Sequence, residues 1–384
     1  MSNIYKLYKL HNSNQPYIIY KSNDGFKLYY DFSKKIILRS IKDVHNFLNF
    51  KTNKKKSKST DLFIGFFGYE LLNNLIDIKL PKQKSLNFYK GIFYKPESVL
   101  SFKNFSYLNS HKKSIKNFKI NIDKKNYTKI FDKFKKRIKA GDTYQIKICT
   151  KYKSKSKVDP LDFFSRLSEF NLAPEAFMIK DKDFSIVSCS PENLIDKKGN
   201  KISTKPIAGT VKKINKMNKS KALKYFQKNI KENKEHNMIV DMERNDLSKI
   251  CVPLSVEVVK EKVIEEYRDL FHYVSLIKGK VRKSVQILDI IKAMMPGGSV
   301  IGCPKINTLK LLNNQEKENR NIYTGSFGYI KFNGDMRFNI IIRSILNFKN
   351  ISEVAVASGV VIDSNASREF NENYIKAKAL IDLY

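Results

Sequence analysis

With 384 residues, 42% of them hydrophobic, the chain is long enough to bury a large core as one big domain or two ordinary ones. It has no apolar run near the ~18 residues of a membrane span, no signal-peptide core, and four cysteines too dispersed for disulfides or a C-x-x-C metal site, which predicts a soluble cytoplasmic protein. A net charge of +36 would suit nucleic acid, but lysine outnumbers arginine 63 to 10 and is spread from end to end, as AT-rich coding favours, so nucleic-acid binding is only a remote alternative.

Residues 1–120 read as a mixed, strand-rich region. The stretch "DLFIGFFGYELLNNL" (61–75) predicts a buried strand that turns at Gly68, and the lysine cluster "KTNKKKSKS" (51–59) predicts an exposed loop. The pattern changes near residue 121. We therefore predict a divergent N-terminal region (1–120) packed on a core formed by residues 121–384.

The next elements alternate between helix and strand. Apolar residues from Tyr127 to Ile138 recur at helical spacing, which predicts an amphipathic helix ended by Gly141. The stretch "TYQIKICTKY" alternates as a strand, a helix begins at Pro160, and "FSIVSCSPENLI" predicts a strand that runs into a turn.

The C-terminal half continues this alternation after a lysine-rich helix at about 218–235 and a further helix that begins near Lys231. Strands are predicted at "TGSFGYIKF", "FNIIIRSILNF" and "VAVASGVVI", and helices at "KINTLKLLNNQE" and "SREFNENYIKAKALIDLY". There is no repeat and no linker rich in Gly, Pro or Ser. The order predicts one large α+β unit with interleaved layers.

Two helices carry carboxylates that are candidates for chemistry. Glu235 heads a stripe that continues with Met238 and Ile239, and Glu369 and Glu372 share a face at i, i+3 spacing. A carboxylate from each of two helices can hold Mg²⁺, with water and an anionic substrate completing the octahedron. Solvated helix carboxylates are the alternative.

Three other features contain candidate functional residues, and two of them could bind an anion. The stretch "MMPGGSVIGCPKINTLKLL" (294–312) is a glycine-rich turn before a helix, where Lys305 would add positive charge, although Gly-Lys-Ser/Thr is missing. Arg343 interrupts an apolar strand and suits a bidentate carboxylate, or else a structural ion pair. His272 in "LFHYVS" lies beside strand-like residues, where a lone core histidine is the commoner case.

Nine separated blocks resemble, in their order, the chorismate-utilising enzymes, in particular component I of anthranilate and aminodeoxychorismate synthases. The resemblance covers about residues 121–384 and implies a large chorismate-binding fold of layered antiparallel sheets with flanking helices, so that 121–384 is the catalytic domain. The blocks are "GDTYQIKI", "SPENLI", "KPIAGT", "EHNMIVDMERNDL", "FHYVS", "PGGSVIGCPK", "YTGSFGYI", "FNIIIRS" and "ASGVVIDSNASREFNE".

The resemblance also implies roles for charged residues. Glu235 and Glu372 match the Mg²⁺ ligands that hold the ring carboxylate of chorismate. Glu192 is similar to the general acid that protonates the departing C4 hydroxyl, with His272 close to that hydroxyl. Lys305 is placed to add positive charge.

Further positions match residues that contact the substrate. Arg343 and Tyr323 resemble the pair that holds the pyruvyl carboxylate, and the remaining positions contribute backbone or a hydroxyl group. The full set of implied substrate-binding residues is Gly209, Thr210, Tyr323, Arg343, Ala357, Ser358 and Gly359.

Two positions bear on which reaction is catalysed. Water-adding members of the family carry a lysine base where this chain has Gln145, so the resemblance implies ammonia as the nucleophile and a glutamine amidotransferase subunit (component II) as partner. Many aminodeoxychorismate synthases have a nucleophilic lysine at the place of Ala208, which favours anthranilate, whereas "PGGS" (296–299) favours aminodeoxychorismate. We expect aminodeoxychorismate synthase component I, with anthranilate synthase component I as the alternative.

Overall fold

The computed structural model describes residues 2–22, 25–50, 58–78, 86–103, 117–171, 173–213, 217–267 and 270–383, so most of the lysine cluster at 51–59 lies outside the described residues. The helices are α1 (Ser2–Asn12), α2 (Ile41–Leu48), α3 (Tyr69–Leu75), α4 (Lys124–Lys139), α5 (Pro160–Asn171), α6 (Lys219–Lys228), α7 (Ile230–Ser248), α8 (Ile287–Met294), α9 (Lys305–Gln315) and α10 (Ala366–Ile381), with a short 3₁₀ turn at Gly298–Val300. The strands are β1 (Tyr17–Ser22), β2 (Gly25–Ile37), β3 (Leu62–Phe67), β4 (Gly91–Phe102), β5 (Lys119–Ile120), β6 (Gln145–Ser154), β7 (Glu175–Lys180), β8 (Phe184–Ser190), β9 (Asn193–Lys198), β10 (Lys201–Lys205), β11 (Ile207–Lys212), β12 (Glu257–Glu266), β13 (Leu270–Lys280), β14 (Gly302–Cys303), β15 (Ser326–Lys331), β16 (Met336–Ile340), β17 (Ser344–Phe348) and β18 (Ile351–Val360).

Within the described part of the chain, every strand pairing is antiparallel and hydrogen bonds connect all the strands into one network. Its order runs β6, β18, β17, β8, β7, β1, β2, β4, β3, β15, β16, β9, β10 and β13, with β5 and β14 beside β6 and with β11 and β12 beside β13. Strands β1 to β4 lie in the middle of this order, between β7 and β15. The division of the chain at residue 120 stays a prediction.

Helix α4 shows how the sequence builds a flanking element. Asp123 caps its N-terminus by accepting a hydrogen bond from the backbone N–H of Asn126. Tyr127 and Phe134 lie on its buried face, where each fully buried aromatic ring contributes about 2–3 kcal/mol. Gly141 follows with φ of +82°, a conformation that glycine adopts without strain, so the predicted end of the helix is confirmed.

Two predicted elements are broken in the structure. The lysine-rich helix expected at about 218–235 ends earlier, because α6 stops at Lys228, and α7 begins at Ile230, close to the start predicted near Lys231. The Asn229 side chain caps α7 by accepting from the Glu232 N–H, a contact that competes with helix continuation. The expected strand "FNIIIRSILNF" is likewise interrupted, because Arg343 has φ of +51° between β16 and β17.

The core consists of three large clusters of buried hydrophobic residues distributed along the sheet network. Helix α10 packs on β18 and α4, where the rings of Tyr127 and Phe370 meet edge to face at 5.3 Å. This packing sets the two glutamates of α10 beside the β6–β18 pair. In the described ranges, no helix is long and apolar enough to cross a membrane.

Candidate active site

The paired strands β6 and β18 form one wall of the site. Their register places Gly359 opposite Lys147, and alternation along β6 turns Gln145 and Lys147 to the same face. A Cβ atom at position 359 would lie 2.7 Å from Lys147 Nζ and 2.9 Å from Gln145 Nε2. A methyl group at position 359 would therefore push the ends of both side chains aside.

Glu235 from α7 meets these two side chains. Its Oε1 atom accepts a hydrogen bond from Gln145 Nε2 at 2.7 Å and from Lys147 Nζ at 2.8 Å. The side chains of Lys147 and Glu235 are only 14% and 18% exposed, so the ion pair is shielded from most solvent. Helix α7 and strand β6 are joined at the site by this contact.

The glutamates of α10 approach the same ammonium group. Burial by itself would lower the pKa of Lys147, but Glu235, together with Glu372 and Glu369, outweighs burial and raises it. Glu369 is buried, whereas Glu372 is about half exposed and pairs with Lys376 at 2.6 Å. Carboxylates from two helices thus surround one cation.

These carboxylates fit Mg²⁺ by their chemistry. Mg²⁺ takes oxygen ligands and is usually held by one or two carboxylates, with water and substrate completing its shell. Among the residues that the structure describes, no group of three or more His, Cys, Asp and Glu side chains is arranged to hold a metal. Glu235 and Glu372 therefore suit a metal that substrate helps to hold rather than a closed protein cage.

Glu192 lies at the turn between β8 and β9 and is buried. Burial raises its pKa to about 7, although the Ser299 hydroxyl and the Lys147 charge act in the opposite direction. Ser299 donates to Glu192 Oε1 at 2.7 Å. A carboxyl group with this pKa is protonated in a large fraction of molecules at neutral pH and can deliver a proton.

Arg343 lies within electrostatic range of both Glu192 and His272. Burial lowers the pKa of the Arg343 guanidinium, and Cys189 and Glu192 oppose that effect. Burial also lowers the pKa of His272 to about 3, assisted by Arg343, so His272 is neutral at physiological pH. Within the described ranges no carboxylate lies within ion-pair distance of Arg343, which leaves its guanidinium fork for an anionic ligand.

Apart from Tyr323, the remaining predicted substrate-binding residues lie on β11 and β18. Gly209 has φ of +95°, and a Cβ there would lie 2.5 Å from the Phe226 ring and 3.0 Å from Glu232 Oε2. The backbone of Thr210 pairs with that of His272, whereas its side chain lies outside what the structure describes. These observations bring the "STKPIAGT" segment to His272.

Tyr323 is buried, and burial raises its pKa, while a hydrogen bond with the backbone of Ala357 acts to lower it. The hydroxyl groups of Ser358 and Tyr127 are 2.7 Å apart, so the Ser358 side chain serves the contact with α4. Only the backbone of Ser358 then faces β6, as its pairing with Ile148 shows.

Lys305 has partners within the fold. Its Nζ atom donates to Asp246 Oδ2 at 2.6 Å and to the Ala293 carbonyl at 3.0 Å, and the side chain is buried. This ion pair fastens α9 to α7. The contribution of Lys305 to the charge of the site stays a prediction.

The family model of the chorismate binding enzymes matches residues 10–382 of the chain. The chain belongs to this family. The match also includes most of residues 1–120, where the sequence resemblance was faint.

Curated relatives of this chain include two kinds of synthase. It is 36% identical over 256 residues to aminodeoxychorismate synthase component 1 of Bacillus subtilis (strain 168), covering 66% of this chain and 54% of that protein. It is 33% identical over 267 residues to anthranilate synthase component 1 of Aquifex aeolicus (strain VF5), covering 69% of this chain and 54% of that protein. The chain spans about half the length of the curated relatives it matches.

Solved structures confirm the predicted fold. Anthranilate synthase component I from Streptococcus pneumoniae TIGR4 superposes with a TM-score of 0.78 at 24% identity, over 95% of this chain and 90% of that one. A putative isochorismate synthase, DhbC from Bacillus anthracis, superposes with a TM-score of 0.73 at 17% identity, over 98% of each chain. At these identities the likeness concerns the fold alone.

Two residues of the site were missed by the sequence reasoning. Lys147 stands two places after Gln145 on a strand, and the period-2 rule already turns both side chains to one face. Ser299 lies in the "PGGS" turn, and no local pattern relates it to Glu192, which is 107 positions away. The first could have been found from alternation, whereas the second needed the tertiary fold.

Proposed function

We propose that the chain is a chorismate-aminating component I, most specifically that of an aminodeoxychorismate synthase, which replaces the C4 hydroxyl of chorismate with an amine and keeps the enolpyruvyl group. The observation that carries the proposal is the buried acid Glu192, whose pKa is about 7. Glu192 lies within electrostatic range of Lys147, which in turn donates to Glu235 beside Gln145. Hydroxide is a poor leaving group, so its departure requires a proton donor. Glu192 supplies that proton.

The carboxylates of chorismate are held by the cationic side of the site. Arg343 binds the pyruvyl carboxylate through its guanidinium fork, and Tyr323 with the backbone of Ala357 and Gly359 completes that contact. Mg²⁺ bound by Glu235 and Glu372 would supply positive charge for the ring carboxylate. Neutral His272 lies near the C4 hydroxyl as a hydrogen-bonding group.

Gln145 argues for ammonia as the nucleophile. An amide cannot take a proton from water, and the Gln145 amide is instead engaged in donating to Glu235. We propose a glutamine amidotransferase subunit (component II) as the source of ammonia, and the cytoplasm as the place where both subunits act. The "component 1" in the names of the relatives supports a second component.

Anthranilate synthase component I is the second candidate because of Ala208. An aminodeoxychorismate synthase that forms a covalent bond through a lysine in this position would require an amine there, and alanine has none. The relatives include both kinds of synthase at similar identity. The product therefore decides between the two.

Purified chain incubated with chorismate, Mg²⁺ and ammonium chloride tests the proposal. We expect chorismate to disappear and p-aminobenzoate to form once an aminodeoxychorismate lyase is added. Direct formation of fluorescent anthranilate without the lyase would establish the second candidate. No consumption of chorismate in the presence of ammonia would refute both, and Glu192→Gln serves as the inactive control.

A further inference from the structure

Lys147 occupies the centre of the candidate metal site. Its Nζ atom lies 2.8 Å from Glu235 Oε1, and a Cβ on Gly359 would come within 2.7 Å of it. Glu372 and Glu369 each raise its pKa, which locates both α10 carboxylates within electrostatic range of the same ammonium.

The ammonium group of Lys147 and a divalent cation would compete for the carboxylate of Glu235. Lys147 already engages the Oε1 atom of Glu235, and like charges a few ångströms apart repel strongly in a shielded site. A metal that binds Glu235 must therefore displace the ammonium or bind beside it. Chorismate brings two carboxylates, which provide the displaced ammonium with a new partner.

We propose that Lys147 is an internal counter-ion of the carboxylates Glu235, Glu369 and Glu372, which holds them together without metal and weakens Mg²⁺ binding until anionic substrate arrives. The inference rests on the proposed function for the identity of the metal and substrate. Lys147 acts as a positioning residue, because it sets the affinity and order of binding through Glu235. This counter-ion role predicts that Mg²⁺ binds weakly to the free chain and tightly in the presence of chorismate.

Calorimetric titration of the full chain with MgCl₂, in the absence of chorismate and ammonia, tests the inference. Lys147→Met removes the charge at similar volume, and we expect it to raise Mg²⁺ affinity at least tenfold. Lys376→Gln is the matched control, because it removes the exposed ammonium paired with Glu372 and should change the affinity less than twofold. Lys147→Arg, which keeps the charge, should bind Mg²⁺ as weakly as the wild type.

Thermal unfolding of the same variants gives a second readout. Without metal, Lys147→Met should unfold at a lower temperature, since Glu235 loses its ion-pair partner and both α10 glutamates lose a nearby positive charge. MgCl₂ should remove this difference. Lys147→Gln, which retains a donor for Glu235, replaces Lys147→Met if that variant does not fold. Unchanged, weaker or undetectable Mg²⁺ binding in the charge-removing variants would overturn the inference.

The outcome is separable from that of the proposed function. The titration contains neither chorismate nor ammonia. A chain that fails to aminate chorismate can therefore still show the gain in Mg²⁺ affinity on Lys147→Met substitution. Conversely, normal chorismate consumption with no gain in Lys147→Met would leave the proposed function intact and reject the counter-ion role.

Discussion

Glu192→Gln offers a prediction in which activity and stability change in opposite directions. The pKa of Glu192 rises from 4.5 to about 7 on folding, mainly because the carboxyl group is buried. Each pKa unit corresponds to about 1.4 kcal/mol, so ionisation of this group in the folded chain costs about 3 kcal/mol. Glutamine has the same shape and can still accept the Ser299 hydrogen bond, but it never ionises.

The sign of the pH dependence follows from proton binding. Below pH 4.5 the carboxyl group is protonated in both folded and unfolded chains and costs nothing, whereas between pH 4.5 and about 7 only the folded chain retains the proton. The wild type therefore loses stability as pH rises through this window. We expect Glu192→Gln to be more stable by about 3 kcal/mol at pH 8 and by about 1 kcal/mol at pH 5, measured by urea unfolding.

The same variant should lose turnover. A general acid contributes about 10²–10⁴ in rate, so kcat should fall at least about 100-fold. In the wild type, kcat/KM should fall about tenfold between pH 6 and pH 8, as a group with a pKa of about 7 loses its proton. Free ammonia must be held constant across the series, because its share of total ammonium rises with pH.

Glu70 is the matched control. It is buried, accepts a hydrogen bond from the Arg320 N–H, and has a pKa raised by burial to about 7, but it lies on α3 outside the proposed chemistry. Glu70→Gln should show the stability gain and keep the wild-type pH–rate profile. A profile that is flat from pH 6 to 8, or a Glu192→Gln variant with a tenth or more of wild-type turnover, would refute the role of Glu192.

Four further variants test the site. Glu235→Gln and Glu372→Gln should each abolish chorismate consumption, and near-normal activity in either would remove that residue from the metal site. Gly359→Ala should lower kcat/KM at least tenfold, since the added methyl would lie 2.7 Å from Lys147 Nζ, with circular dichroism to check that the fold is kept. Arg343→Met should raise the KM for chorismate at least tenfold through loss of a charge-assisted bidentate contact, and an unchanged KM would exclude Arg343 from substrate binding.

Local sequence patterns predicted correctly those elements whose ends are set by neighbouring residues. Helix α4 begins after its capping Asp123 and ends before Gly141, as its apolar spacing and the glycine predicted. The two errors, at Asn229 and at Arg343, share one cause. A side-chain cap or a left-handed backbone conformation interrupts a stretch whose hydrophobic period is continuous, and the period does not report such a break.

The site depended more heavily on tertiary structure. The resemblance supplied Glu192, Glu235 and Arg343, but their proximity comes from the order of strands in the sheet network. Arg343 was equally consistent with a structural ion pair, and only the surroundings of its guanidinium argue for a ligand. Composition gave no reason to single out Lys147, because the chain contains 63 lysines.

The two glutamates that matter most have the same chemical group and opposite surroundings. Glu192 is desolvated, which favours its protonated form although the Ser299 hydroxyl donates to it. Glu235 instead accepts from an ammonium and an amide at the same oxygen. Such an environment suits one carboxyl group to proton donation and the other to cation binding, as we propose. Because Lys147 influences both, replacing it should raise the pKa of Glu192 further and move the descending limb of the pH–rate profile to higher pH.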